Sequence, residues 1–225
     1  MNETARAARR VRVWDLPVRL FHWSLVALLA TSWISAEIGG NAMQIHEWSG
    51  MSVLALVLFR IAWGFLGGTH ARFASFVRSP LEAMRYAGAL ARGHSPRHLG
   101  HNPLGGWMVL IMLVNLAVQA GTGLFSNDDI MTEGPLAARV SKDTSDLLTQ
   151  IHEISFNVLL VLVAVHVLAA LFYLLFKREN LIVPMITGSK AVGDANAFPG
   201  QGGSIWLAAL VLALSAGAVW LIVRG

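Results

Sequence analysis

The chain has 225 residues, 55% of them hydrophobic and only 13% charged, with a mean hydropathy of +0.58. This composition excludes an ordinary soluble domain and indicates a membrane protein. The sequence contains no cysteine, which excludes disulfides, cysteine-ligated iron–sulfur clusters and covalently attached haem, so histidine is the expected ligand of any metal. The net charge of +4 arises from basic residues between apolar segments, which indicates membrane topology and no nucleic-acid partner.

The first 38 residues predict a basic tail followed by a membrane span. Residues 1–15 are rich in arginine, and residues 16–38 are apolar for the length of a bilayer. No small-residue cleavage site follows the apolar run, so we expect a retained helix and not a signal peptide. This span contains Arg19 and His22 close to its start.

The second span and the segment after it also carry ionisable residues. A short Gly/Asn link leads to a span at residues 46–66, which begins at His46 and contains Arg60 fourteen residues later, on nearly the same helix face. Residues 67–103 are polar. Within them the sequence Ser-Pro-Leu-Glu predicts the capped start of a short helix over residues 79–91.

The second half of the chain predicts three further spans. They are expected at residues 104–125, 150–178 and 204–223. An acidic loop, residues 126–149, joins the first two, and a Gly/Pro-rich link, residues 184–203, precedes the last.

The fourth span contains two histidines, His152 and His166, although ionisable residues inside a membrane helix are rare and usually functional. At about 100° per residue, a spacing of 14 leaves the two side chains about 40° apart, on one face. At about 1.5 Å per residue they lie about 21 Å apart along the axis.

The charge distribution predicts the orientation of the spans. Most of the 17 Lys and Arg residues lie in the tail, the 67–103 segment and the link that precedes the fifth span, and five spans place these three segments on one side. The positive-inside rule puts that side in the cytoplasm. The acidic loop and the C-terminus are then expected in the periplasm.

Depth in the membrane predicts two histidine pairs. His22 and His166 lie toward the side of the basic tail and are called here the tail-end pair; His46 and His152 lie toward the acidic loop and are called the loop-end pair. Two bis-histidine sites inside a helix bundle suit b-type haem, whereas zinc would require four ligands at each site. His166 is farther from the end of its span than His22, so helix tilt must bring the two to one depth.

Haem carries propionates, which require cations. Arg60 lies at the depth of the tail-end pair, and Arg19 lies three residues before His22, so both are candidate propionate partners. Snorkelling toward the membrane surface is the alternative for Arg60.

The remaining histidines and the acidic loop carry weaker signals. The spacing of His94, His98 and His101 is that of a metal cluster on a helix, but the segment is broken by Gly and Pro, so we expect exposed loop residues. His70 is likewise expected to be solvated. The acidic loop either docks a basic electron carrier or is simply solvated.

Four segments of the chain resemble the bacterial cytochrome b561 family, which includes the b-type cytochromes of nickel hydrogenases. They are WDLPVRLFHW, QIHEWSGMSVLALVLFRIAWGF, GHNPLGGWMVL and IHEISFNVLLVLVAVHV, and the resemblance covers about residues 11–186. It implies an all-α membrane protein: a four-helix transmembrane bundle that holds two b haems, to which this chain adds a fifth helix. It also implies that His22, His46, His152 and His166 are the axial ligands, in agreement with the depth argument.

The expected domain organisation follows. Residues 1–15 are a cytoplasmic tail, 16–186 the dihaem cytochrome b domain, 187–203 a cytoplasmic linker and 204–225 an additional transmembrane helix. No role is predicted for that fifth helix.

The resemblance implies a cytochrome of the bacterial inner membrane, surrounded by lipid, that carries electrons between a periplasmic redox partner and the quinone pool. A c-type cytochrome, a hydrogenase or another dehydrogenase would be the partner. The lack of a soluble catalytic motif favours a subunit over a self-sufficient enzyme. Two alternatives stay open at this point, a stand-alone superoxide:quinone oxidoreductase and a haem-free membrane anchor subunit; a transporter is disfavoured because the sequence has no repeated halves.

Overall fold

The computed structural model describes residues 9–94, 96, 98–130, 132–192 and 200–225. Within these residues, five helices are long and apolar enough to cross a membrane. They are α1 (Leu16–Ile38), α2 (Met43–Leu66), α5 (Pro103–Gly123), α6 (Lys142–Leu175) and α8 (Ile205–Arg224). The predicted all-α membrane fold with five spans is therefore confirmed.

Polar side chains set the first residue of most helices. An N-cap oxygen accepts a hydrogen bond from a backbone N–H of the first turn, which would otherwise lack a partner. These caps are Asp15 for α1, Ser79 for the short helix α4 (Pro80–Ala91), Asn102 for α5, Ser141 for α6 and Ser204 for α8. The predicted helix over residues 79–91 is thereby confirmed together with its cap.

Helix α6 begins about two turns earlier than the sequence predicts. The acidic loop was expected to continue to residue 149, but Ser141 caps a helix that starts at Lys142. Lys142 forms ion pairs with Asp129 in the loop and with Asp146 one turn later. Its hydrogen bonds with these two carboxylates raise the pKa of Lys142. The Ser141 cap starts α6 outside the apolar span.

The bundle has two ends, which we name by the segments found there. The tail end contains the starts of α1, α5 and α8 and the ends of α2 and α6; the loop end contains the opposite helix termini and the acidic loop. At the tail end a strand, β1 (Arg9–Arg12), pairs antiparallel with β2 (Ser189–Val192). Two short helices, α3 (Phe73–Phe76) and α7 (Ile182–Thr187), lie between the longer elements.

The predicted tail and link contain helix and strand segments that the sequence analysis did not identify. Part of the tail is β1, and part of the predicted link is α7 and β2. Residues 1–8 of the tail and 193–199 of the link lie outside the described residues.

Helix α2 is the centre of the bundle. It packs closely against α1, α5 and α8, while α6 packs closely against α5. An apolar cluster from four helices fills the middle of the bundle: Val53 and Val57 of α2, Leu116 of α5 and Leu159 of α6, with α1 contributing Leu25, Leu28 and Leu29.

The fifth span has a packing role that the sequence did not reveal. Ala208 and Val211 of α8 are buried in a second cluster with Val18 of α1 and with Phe59 and Trp63 of α2. Helix α8 thus covers the tail-end halves of α1 and α2.

The carboxylate of Asp15 joins four segments at the tail end. Its Oδ1 accepts from the backbone N–H of Val18 at 3.0 Å, and its Oδ2 lies 3.3 Å from three donors, the Trp63 indole Nε1 and the backbone nitrogens of Gly68 and Gly203. Asp15 is only 8% exposed. A Cβ on Gly68 would lie 2.8 Å from Oδ2, so only glycine permits this approach.

We expect Asp15→Asn to destabilise the folded chain although the two side chains have the same shape. One carboxylate oxygen becomes an NH₂ group that faces N–H donors, and leaving a buried donor unsatisfied costs about 1–3 kcal/mol. The measurement is the free energy of unfolding in detergent. Asp146→Asn is the matched control, because Asp146 is exposed in a surface ion pair and its loss should change little. Equal stability of the two variants would contradict the assigned role of Asp15.

A hydroxyl pair fastens α4 to the bundle. The Tyr86 hydroxyl of α4 lies 2.9 Å from that of Tyr173 on α6, and the Asn102 amide donates to Tyr173 at 2.8 Å. Both tyrosines are buried. The Tyr173 hydroxyl therefore forms hydrogen bonds with two segments and the Tyr86 hydroxyl with only one.

We expect Tyr173→Phe to reduce stability more than Tyr86→Phe. Tyr86→Phe removes one hydrogen bond, worth about 1 kcal/mol, whereas Tyr173→Phe also leaves the Asn102 amide without an acceptor. Thermal unfolding of both variants in one detergent provides the comparison. A larger loss for Tyr86→Phe would show that Asn102 finds another partner.

Candidate functional site

The loop-end histidines lie opposite one another. His46 of α2 and His152 of α6 have ring centroids 6.1 Å apart, with the rings inclined at 78°. Both side chains are half-buried. The two residues are more than 100 positions apart in the sequence, so the bundle topology alone brings them together.

A backbone carbonyl orients each ring of this pair. His46 Nδ1 lies 2.9 Å from the Ser32 carbonyl oxygen, and His152 Nδ1 lies 2.8 Å from the Gln119 carbonyl oxygen. A carbonyl can only accept, so we assign the proton of each imidazole to Nδ1. This tautomer leaves the Nε2 lone pair of both rings available as a metal ligand, which is the usual arrangement around metal-ligating histidines.

Gln119 of α5 makes a second contact with His152. Its side-chain nitrogen lies 3.0 Å from His152 Nε2, and its amide oxygen accepts from the Ser155 hydroxyl. The Asn115 amide donates to the Ser155 carbonyl at 3.0 Å. Gln119 and Asn115 of α5 thus fasten α6 by hydrogen bonds. Because the Gln119 side-chain nitrogen occupies the position next to His152 Nε2, it must rotate away before this Nε2 can bind a metal.

The tail-end histidines are also adjacent. His22 of α1 and His166 of α6 have ring centroids 6.3 Å apart, with the rings inclined at 49°. His22 is half-buried and His166 is exposed on α6. The difference in their distance from the helix ends, noted in the sequence, does not separate them in the bundle.

Both separations fit one metal ion between two imidazoles. With a metal–nitrogen bond of about 2.0 Å, as for zinc–histidine, two rings on opposite sides of a metal have centroids about 6.3 Å apart. Among the described residues, no group of three or more His, Asp or Glu side chains could hold a metal ion. The donor set therefore fits a metal whose other ligands come from a macrocycle.

The backbone of α6 stands away from those of α1 and α2. Its close backbone neighbour in the described bundle is α5, and neither α1 nor α2 packs closely against it. Of the residues in the most apolar 18-residue stretch of α6, only 6% are buried inside the protein. The histidine pairs bridge this separation, since His22 and His46 come from α1 and α2 and both partners come from α6.

Arg60 of α2 is a buried cation that forms no ion pair among the described residues, although the Asp15 carboxylate acts on it through space. It is 3% exposed, and its guanidinium carbon lies 5.2 Å from the Phe73 ring centroid and 6.0 Å from that of Phe76. Within the described part of the chain, its Nη1 has no hydrogen-bond partner and it forms no ion pair. An unpaired buried charge costs several kcal/mol, so this site fits a carboxylate ligand. Snorkelling does not describe Arg60, because the side chain is not exposed.

Arg19 has a different environment. Its Nη2 donates to the Ile186 carbonyl, while its Nε is buried without a partner among the described residues. The Trp23 indole donates to the neighbouring Met185 carbonyl at 3.2 Å. Arg19 therefore fastens α7 to α1, with one nitrogen left for another acceptor.

The prediction that His101 is exposed was wrong. The ring lies between Trp14 and Phe76, with centroids 4.7 Å and 4.8 Å away, and its buried Nδ1 has no partner in the described structure. Burial and the nearby charge of Arg60 lower the pKa of His101 to about 3, so the ring is neutral at neutral pH. The signal available in the sequence was its position immediately before the cap Asn102, which places it at a helix start.

The other loop histidines do not form a cluster with it. His94 is exposed as expected, and His98 is half-buried with its ring 5.3 Å from that of Tyr86. His70 was expected to be solvated, but its Nε2 is buried and burial lowers its pKa. A metal cluster of these residues, already disfavoured by the sequence, does not occur among the described residues.

Comparison with known proteins places these observations in a family. The family model described as prokaryotic cytochrome b561 matches residues 13–188. A probable Ni/Fe-hydrogenase B-type cytochrome subunit of Rhizobium leguminosarum bv. viciae is 26% identical, with 86% of this chain and 94% of the relative covered. Its counterpart in Bradyrhizobium diazoefficiens is 24% identical over 86% and 91% of the two chains, and that in Azotobacter chroococcum 26% identical over 86% and 93%.

No solved structure matches the chain closely enough to count as similar. The region matched by the family model contains both histidine pairs and Arg60. It also covers four of the five membrane spans, which agrees with the additional position of α8. The chain belongs to the prokaryotic cytochrome b561 family.

Proposed function

We propose that the chain is a dihaem b-type cytochrome that carries electrons across the bacterial inner membrane between a periplasmic redox partner and the quinone pool. The observation that carries this proposal is the geometry of the histidines. Two pairs, each formed between α6 and a helix of the α1–α2 half, have ring centroids 6.3 Å and 6.1 Å apart. Membership of a b-type cytochrome family implies haem b, which two axial imidazoles suit.

The chain's own residues would hold the two haems. His46 and His152 would bind one through Nε2, since their Nδ1–H groups donate to carbonyls, and His22 and His166 would bind the other. Bound haem iron supplies one-electron transfer. Arg60 would neutralise propionate charge at the tail-end site, and Arg19, through its unpartnered Nε, is the second candidate.

The core between the pairs suits electron transfer and opposes ion leakage. His152 and His166 lie 14 residues apart on α6, about 21 Å along the axis. Leu159, halfway between them, and Val163, three residues before His166, pack against apolar residues of the other helices. A dry apolar layer of this kind disfavours the passage of protons or other ions.

The charges support an orientation with the tail end in the cytoplasm. The basic residues of α4 and of the segments that flank it lie at the tail end, and the acidic loop lies at the other. By the positive-inside rule, the tail and the linker are then cytoplasmic, and the acidic loop and C-terminus periplasmic. A periplasmic partner would deliver or receive electrons at the loop-end pair.

The names of the relatives support a hydrogenase as the first partner to test. Three similar proteins, each covered over more than nine-tenths of its length, are named probable Ni/Fe-hydrogenase B-type cytochrome subunits. A c-type cytochrome or another dehydrogenase is the next choice. A purified chain that reduces quinone with superoxide and no partner would instead identify a self-sufficient enzyme.

We expect two b haems per purified chain, counted by pyridine haemochrome and by a reduced-minus-oxidised spectrum. His46→Ala and His152→Ala should remove the same haem, and His22→Ala and His166→Ala the other, because each pair shares one metal. His94→Ala is the control, since His94 is exposed and should leave both haems in place. A colourless chain that retains its function would identify a haem-free anchor.

We expect Gly123→Ala to disturb the loop-end haem selectively. A Cβ on Gly123 would lie 2.8 Å from His152 Cε1, so the ring must shift from its position. A Cβ on Gly121, two residues earlier in α5, would meet nothing within 4 Å, which makes Gly121→Ala the matched control. The expected result is that Gly123→Ala loses one haem or changes its spectrum, while Gly121→Ala does neither. Identical spectra of the two variants would show that His152 is not constrained from this side.

A further inference from the structure

Unpartnered nitrogens collect at the tail end of the bundle. Among the described residues, five buried side-chain nitrogens lack a hydrogen-bond partner, and all five belong to residues in the tail-end half of the bundle or at that end. They are Arg19 Nε, His22 Nδ1, Arg60 Nη1, His70 Nε2 and His101 Nδ1. Buried polar atoms in native proteins are normally hydrogen-bonded, so this cluster points to a ligand rich in acceptors.

Arg60 and His101 approach each other from different elements. The Phe76 ring lies between them, with its centroid 6.0 Å from the Arg60 guanidinium carbon and 4.8 Å from the His101 ring centroid. Trp14 packs on His101 as well and holds the imidazole in place. The charged or titratable groups that act electrostatically on His101 are Arg60, His166, His70 and His22, which include both histidines of the tail-end pair.

The acids at this end do not supply the missing acceptor. Both oxygens of Asp15 already accept hydrogen bonds from four N–H groups. Glu179 is paired with Lys190, and Glu82 lies exposed on α4. Within the described part of the chain, Arg60 therefore has no carboxylate in ion-pair contact, and Asp15 acts on it only through space.

We propose that Arg60 and His101 together bind the carboxylates of the haem held by His22 and His166. Arg60 supplies the positive charge, and His101 supplies a neutral N–H donor whose orientation Trp14 and Phe76 maintain. The inference rests on the proposed function and deepens it, because it adds a cofactor-binding residue from outside the membrane spans.

The test is a redox titration of both haems at several pH values in His101→Leu, with haem content measured on the same samples. Loss of the donor should leave one carboxylate poorly stabilised, so that it takes up a proton when the haem is reduced. The midpoint potential of the tail-end haem should then become dependent on pH, while that of the loop-end haem stays unchanged. His22→Ala identifies which signal belongs to the tail-end haem.

Three further variants sharpen the comparison. His101→Asn keeps an N–H donor, so the midpoint potential of its tail-end haem should be nearly as independent of pH as in the wild type. His94→Leu, at an exposed histidine of the same segment, should change neither potential. Arg60→Gln should lower the midpoint of the tail-end haem, because removal of a nearby cation destabilises the more negative reduced form. The loop-end haem reports on folding in every variant.

Wild-type chain loaded with haem whose carboxylates are methyl esters tests the inference without a substitution. This haem should be held less tightly at the tail-end site, and His101→Leu should have no additional effect on its potential. Unchanged potentials in His101→Leu, or equal retention of the two haems, would overturn the inference. An altered KM for quinone at unchanged potentials would also overturn it and assign the nitrogens to a quinone oxygen. A wild-type chain without two haems would instead remove the proposed function itself.

Discussion

The tail end of the molecule depends on one buried carboxylate. Asp15 accepts hydrogen bonds from the start of α1, from Trp63 near the end of α2, and from Gly68 and Gly203 in the segments that follow α2 and precede α8. A buried carboxylate is tolerated only when its oxygens are satisfied, so these segments are held in one arrangement. That arrangement also positions Arg60 and His101, whose surroundings come from the same segments.

The bundle consists of two halves whose facing histidines lie at separations suited to a cofactor. Helices α1 and α2 form one half and α5 and α6 the other, and the hydrogen bonds from Gln119 and Asn115 fasten α6 to α5. In a bilayer, lipid is as apolar as a leucine side chain, so such contacts decide where helices lie more than hydrophobicity does. The histidine pairs join the halves where α6 stands away from α1 and α2.

The two ends differ in how far their polar groups are satisfied. At the loop end, His46 and His152 each donate to a carbonyl, and Lys142 neutralises neighbouring carboxylates. At the tail end, imidazole and guanidinium nitrogens remain without acceptors among the described residues. A nearby cation stabilises the more negative reduced form of a haem, so Arg60 would raise the potential of a haem bound at the tail end.

The sequence by itself determined the five spans and the depth of each histidine, because apolar length and helical periodicity are local properties. It also determined the helix cap at Ser79, whereas the cap at Ser141 was missed and the expected loop was too long. Only the tertiary structure decided that β1 pairs with a strand about 180 residues away, that α8 covers α1 and α2, and that His101 is half-buried beside Phe76. These features depend on which distant segments meet, and the pattern of any one segment does not contain that information.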